Sequence, residues 1–227
     1  MVAESFNSPD DSPETRVYQG QFGEFTIEPS DRQGVILYRS GLMLSALSFA
    51  LGCTLVLWQG HQPGVRSLLS LLYSLFCLGL ATSLLTIHIY LVPLHRVLQV
   101  FWGIGAIAAL VVAHAYPEPF AVTVYQHPLT ILGVGFTFAA LTGIFFKEAF
   151  CFNRLETKAL TFLVPALLLG HLLGILPTRG EQMMLAAWAI LFVVFALRKA
   201  FQEIPADIGD KSVFAYLKQQ KTASRPA

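Results

Sequence analysis

The chain has 227 residues, of which 55% are hydrophobic and only 13% charged, with a formal net charge of +1. That charged fraction is about half the ~25% of an average soluble domain, which excludes an ordinary water-soluble globule. The net charge itself says nothing about nucleic acid, and with no basic cluster beside an aromatic surface no nucleic-acid partner is expected.

Taken in chain order, Met1–Pro13 is acidic and rich in Ser, Asp and Pro, without the basic start and apolar run of a signal peptide. Residues 1–16 read as disordered. The first apolar helix is therefore expected to serve as its own uncleaved insertion signal. Residues 17–28 mix aromatic and β-branched residues around Gly20 and Gly23, which suits a short hairpin or extended strip on a membrane surface. Ser30 followed by Gln33 fits a capping box, so the first long helix is predicted to begin near Asp31.

Six apolar stretches follow, near residues 40–58, 67–92, 97–115, 129–146, 159–176 and 183–197, and none contains Asp, Glu, Lys or Arg. A hydrocarbon core needs about 20 apolar residues per helix. Inside lipid an unbroken apolar run must satisfy its own backbone hydrogen bonds, which a helix does. Runs such as Ile104–Ala113 show none of the alternation of a barrel strand. The fold class is all-α: a polytopic bundle of six transmembrane helices. Residues 1–30 form an N-terminal arm, 31–203 the membrane domain, and 204–227 a tail.

Of the 15 basic residues, all but Arg66 and Arg179 fall on one side when the spans are threaded back and forth. Lys and Arg are retained on the cytoplasmic side of short loops, so both termini are expected there. In the tail, Pro205 is expected to stop the last span, and Asp210 to cap a short amphipathic helix. That helix would present Val213, Phe214 and Leu217 on one face, with Lys211, Lys218 and Lys221 available to anionic lipid.

The membrane interior reads as empty of acids and bases, which disfavours an ion-coupled transporter. No paired broken helices suggest a transporter repeat. No nucleophile–base set is visible either, and the chain reads as non-enzymatic. The basic-side loop between spans four and five, 147–158, carries Lys147, Glu148, Arg154 and Glu156. Lys147 and Glu148 adjoin, and adjacent helical residues do not face each other. The three cysteines make no disulfide framework: Cys53 and Cys77 fall in spans and Cys151 on the basic side.

Two patterns stand out. Gly41, Ser45, Ser48 and Gly52 form a stripe of small residues down span one, and Gly170 and Gly174 a pair in span five. Such stripes let helices approach closely in lipid, within the bundle or against a partner. His114 and His171 end spans three and five on the side away from the basic face, where two imidazoles at one depth would ligate haem iron or one a chlorophyll magnesium. The plainer reading is interfacial polar residues bonded to carbonyls and water. A metal held by the outer histidines with Glu118 has no ligand spacing to support it.

Phe25-Thr-Ile-Glu-Pro-Ser-Asp31, Ile87-His-Ile-Tyr90 with His95-Arg96, Phe146-Lys-Glu-Ala-Phe-Cys-Phe-Asn153 and Asp207-Ile-Gly-Asp-Lys-Ser-Val-Phe214 resemble an uncharacterised integral membrane protein family of cyanobacteria and chloroplasts, a domain of unknown function of the DUF2301 type. The resemblance runs over nearly all of the chain after residue 17. It implies a six-helix protein of the thylakoid or plasma membrane and carries no functional residue. The leading expectation is a non-enzymatic accessory or assembly factor bound to a membrane protein complex. The alternatives are a channel or carrier for a neutral or apolar solute, lined by residues such as Ser45, Ser48, Thr54, Ser83, Thr86, Thr137 and Thr142, and a haem- or chlorophyll-binding protein.

Overall fold

In the computed structural model, residues 17–60 and 62–223 are described. The disorder expected of residues 1–16 lies outside them, as do His61 and Arg225. Strands β1 (Val17–Gly20) and β2 (Gly23–Thr26) form an antiparallel hairpin pairing Val17 with Thr26 and Gly20 with Gly23. The helices are α1 (Pro29–Gln59), α2 (Pro63–Thr86), α3 (Val92–Ala115), α4 (Phe120–Gln126), α5 (Ile131–Phe152), α6 (Leu155–Leu172), α7 (Thr178–Ala200), α8 (Ile204–Ile208) and α9 (Lys211–Ala223). Six of them, α1, α2, α3, α5, α6 and α7, are long and apolar enough to cross a membrane.

Local chemistry sets the boundaries, sometimes differently from the sequence reading. The cap of α1 is Glu28, not Ser30: its N–H donates to the Asp31 carboxylate at 2.8 Å, and Pro29 opens the first turn. Span two ends at Thr86, and the Ile87–Leu91 segment leaves the helix before Pro93, in the first turn of α3. The predicted loop 147–158 is instead a sharp corner. α5 runs through Lys147 and Glu148 to Phe152, Asn153 turns with φ 52°, and α6 starts at Leu155. Asn tolerates the left-handed region better than most residues, which lets the corner be tight. α7 stops at Ala200, five residues before Pro205, which instead sits in the first turn of α8.

α1 packs chiefly on α2 and α7, α3 on α5, and α6 on α5 and α7. At the α1–α2 crossing two small-xxx-small motifs face each other. A Cβ on Gly41 would lie 2.5 Å from the Gly79 carbonyl oxygen, and one on Gly79 the same distance from that of Gly41. Ser45 Oγ donates to Phe76 O at 3.0 Å and Ser83 Oγ to Tyr38 O at 2.9 Å, stitching the crossing. Close packing and interhelical hydrogen bonds hold such a pair, since lipid tails are as apolar as the side chains they would displace.

The two ends of the described chain meet at one end of the bundle, here called the terminal face. The Gln21 N–H donates to Asp210 Oδ2 at 2.6 Å, Phe22 stacks on Tyr216 with centroids 4.0 Å apart, and Tyr90 packs on Phe214. Asp210 caps α9, accepting the Ser212 N–H at 2.9 Å. Burial pushes its carboxyl up, but the N–H groups of Gln21 and Ser212 outweigh that and hold it below its usual value. The apolar face of α9 is therefore covered in large part by the hairpin and Tyr90.

Candidate functional site

The opposite end of the bundle holds a half-open cavity of about 570 Å³. Its walls come from α1, α2, α4, α5, α6 and α7, and are mainly apolar and aromatic, with Phe49, Tyr73, Phe76, Phe120, Phe138 and Trp188 among them. That size and character match small-molecule sites, which run from ~300 to ~1,000 Å³ and are mostly apolar with a few placed polar groups. The aromatic walls hold one another in place. Tyr73 lies 4.6 Å from Phe120, Phe49 lies 4.3 Å from Trp188, and Phe138 meets Trp188 edge-on at 5.3 Å. Among the described residues no Lys or Arg lines the cavity.

Its polar end is a triad. His171, in the last turn of α6, places Nδ1 2.6 Å from Glu181 Oε1, in the first turn of α7. The imidazole stacks on Tyr125 of α4 with centroids 4.9 Å apart, and Nε2 lies 3.1 Å from the Tyr125 carbonyl. The Tyr125 hydroxyl donates to Glu181 Oε2 at 3.2 Å. Burial raises the Tyr125 phenol above its ordinary value, and the neighbouring Glu181 pushes the same way. The α6–α7 turn makes this possible: Gly174, at φ +65°, lets the chain reverse, with its N–H bonded to His171 O at 3.0 Å.

The terminal face holds a second polar assembly. Glu148 accepts from Tyr38 Oη at 3.0 Å, Lys147 Nζ at 2.9 Å and Lys199 Nζ at 2.5 Å. Lys199 also pairs with Asp207, and its ammonium sits 4.1 Å from the Phe152 ring centroid. Arg39 reaches Asp207 Oδ2 through Nε at 2.8 Å and Nη2 at 2.6 Å. Glu148 and Lys199 are both 0% exposed. Beside them Arg198 donates to Glu156 at 3.0 Å and Arg154 to Gln202 at 2.6 Å. His88 lies on the same face, and burial lowers its pKa below the ordinary value, with Asp31 opposing.

The structure thus redistributes the residues singled out from sequence. Lys147 and Glu148 do meet although adjacent, because both long side chains turn inward from the end of α5. The helix ends, which the sequence reading left in loops, carry charges buried inside the bundle. Gly41 and Ser45 face α2, while Ser48 and Gly52 lie on the cavity wall. Gly170 packs against Leu176, and Gly174 is a turn residue past the end of α6 with open space around it, so this pair makes no helix–helix stripe. His114 is exposed and bonded to its own helix at Leu110 O, 2.8 Å away. Both ring nitrogens of His171 are engaged by Glu181 and Tyr125, so its partners come from α7 and α4 rather than from His114. Ser45, Thr54, Ser83, Thr86 and Thr142 donate to backbone carbonyls, and Thr137 pairs with Tyr73. Of the suggested path-lining residues only Ser48 reaches the cavity wall. Among the described residues no three His, Cys, Asp or Glu side chains stand together as a metal site. Tyr125, Glu181 and the aromatic walls were not singled out from sequence, although Glu181 does lie in the first turn of a span, where a carboxylate is favoured.

No curated protein and no solved structure matches the chain. A family model described as an uncharacterised integral membrane protein matches residues 82–216, beginning within α2 and so leaving out the hairpin, α1 and the Phe25–Asp31 segment. That match covers more than half of the 227 residues, and with six apolar helices the chain belongs to the uncharacterised integral membrane protein family DUF2301.

Proposed function

We propose that this protein binds an apolar molecule within the membrane, in the cavity at the end of the bundle away from the chain termini, as a carrier or holder of that molecule. The observation that carries the reading is the 570 Å³ cavity itself, walled by aromatic side chains and carrying polar groups at one end. The charge distribution supports an orientation with the terminal face, which carries most of the basic residues, in the cytoplasm. On that reading the cavity opens toward the other leaflet. The leading expectation from sequence, an accessory or assembly factor, leaned in part on the small-residue stripe as a groove for a partner's helix, and α2 already fills its Gly41–Ser45 stretch. Support therefore moves to the cavity.

Gentle purification followed by organic extraction and mass spectrometry tests the proposal. A co-purifying apolar molecule, absent from a Gly52→Leu variant that adds bulk to the cavity wall beside Leu69 and Leu72, is the expected result. Equal recovery from both proteins would sink the reading. An absorption spectrum of the same sample separates the pigment case, since haem or chlorophyll would give a Soret band.

A further inference from the structure

We infer that the occupant of this cavity is an amphiphile whose head is a hydroxyl group, in preference to a carboxylate, a phosphate or an ammonium. The inference rests on the cavity reading above and deepens it, and the triad's hydrogen bonds carry it. The Tyr125 carbonyl can only accept, so the His171 Nε2 that meets it at 3.1 Å carries a hydrogen. Nδ1 and Glu181 Oε1 then stand 2.6 Å apart, a separation that two lone pairs would not tolerate, so one proton lies between them. Whether that proton resides on nitrogen or oxygen, the His171–Glu181 pair is neutral as a unit.

A neutral pair gives no net attraction to an anion or a cation. Among the described residues Glu181 is the sole acidic residue on the cavity wall, and no Lys or Arg lines it to offset a carboxylate or phosphate. Either ion would find a neutral pair here and no Lys or Arg on the described wall, so its charge adds no attraction. An ammonium gains no more, because the Glu181 charge is already compensated. A hydroxyl needs only the hydrogen bonds this end supplies. Its hydrogen can go to the remaining lone pairs on Glu181, while Gln182 on the same wall can donate to its oxygen; the Thr178 hydroxyl already donates to the Tyr125 phenol. The apolar tail then lies among the rings of Phe49, Tyr73 and Phe138. Glu181 and Gln182 are the specificity residues in this account, and His171 and Tyr125 position Glu181.

The test uses the full-length protein in nanodiscs of zwitterionic lipid and four brominated probes of one chain length: an alcohol, a carboxylate, an amine and an alkane. Bromine in the cavity quenches the fluorescence of Trp188, which is buried on its wall, read in a Trp58→Phe background because Trp58 is 83% exposed and would also be quenched from the bilayer. We expect the alcohol to bind about tenfold more tightly than the other three, the worth of one well-made hydrogen bond. Glu181→Gln should abolish that preference and leave alkane quenching unchanged, and Gln182→Leu serves the same purpose if the first variant folds poorly. Equal binding of all four probes to the wild type would overturn the headgroup inference and leave the cavity reading standing. Tighter binding of the carboxylate or amine would also overturn it. No saturable quenching by any probe would overturn both.

Discussion

The two ends of this bundle solve opposite problems. At the terminal face, Glu148, Lys199, Asp207 and Arg39 are drawn from α5, α7, α8 and α1 into a network in which both carboxylates have several partners and the central Lys–Glu pair is out of contact with solvent. At the other end, the His171–Glu181–Tyr125 triad is compact and neutral but borders a wide apolar cavity. Taking charges out of water is costly, and close partners recover that cost only when every one of them is in place. An assembly of that kind locks helices together. A cavity with one small polar group at its edge leaves room for something to enter. On the function proposed above, the terminal face does structural work and the opposite end does the binding.

That contrast can be broken experimentally. The largest effect is expected at the closed end. Lys199→Met removes the ammonium between Glu148 and Asp207, and should cost roughly 3–5 kcal/mol, the usual penalty for leaving one member of a buried ion pair alone. Thermal unfolding in detergent would show it as a large drop in Tm, with cavity binding impaired only in proportion to unfolding. A Glu148→Gln/Lys199→Met double variant should lose less than the two single losses combined, because the residues share one network. Additive losses would mean that the pairs act independently.

The helix crossing comes next. Gly41→Ala places a methyl 2.5 Å from the Gly79 carbonyl oxygen, a backbone atom that cannot swing aside. Overpacking of that kind costs about 1–3 kcal/mol. Unchanged stability would show that α1 and α2 can separate freely, which the stitching by Ser45 and Ser83 argues against.

At the open end the sign differs. A Cβ on Gly52 would meet Leu69 and Leu72 at ordinary contact distances of 3.7 and 3.9 Å. Replacing a helical glycine also favours the helix, by up to about 1 kcal/mol. Gly52→Leu should thus keep or slightly raise Tm while abolishing ligand retention. A stability loss similar to that of Lys199→Met would erase the distinction between the two ends.

The smallest effect concerns acidity. Burial holds the His88 pKa below its ordinary 6.5, so the unfolded chain binds its proton more readily than the folded one. Stability from this residue is complete above pH ~6.5 and declines as the pH falls from there through the lower folded value. Melting curves near pH 7.5 and pH 5 should show a modest loss on acidification that His88→Asn reduces. Loss of equal size in the variant would assign it to other groups.

Much of this protein was legible in its sequence, for a physical reason that differs from element to element. The six spans follow from apolar length alone, because lipid forces an unbroken apolar run to bond its own backbone. The hairpin at residues 17–26 follows from glycines among aromatic and β-branched residues, and the cap of α9 from Asp210, both being signals carried within a few positions. The small residues of α1 told that something would approach closely, though not that Gly79 and Ser83 of α2 would do so.

What only the tertiary structure decided depends on how each helix is rotated and which distant ends are neighbours. Lys199 and Asp207 look like ordinary interfacial charges in the sequence, and they become a buried network only because α5 and α7 extend past their apolar runs and bring their last turns beside α8. His171 was visible as a polar residue at the end of a span, but its partner was not. Glu181 reaches it across a turn that Gly174 makes possible, and Tyr125 arrives on a short helix, α4, that is too brief to announce itself by periodicity. The cavity is the extreme case, since it is defined by where side chains from six helices stop short of one another, and no local pattern records that.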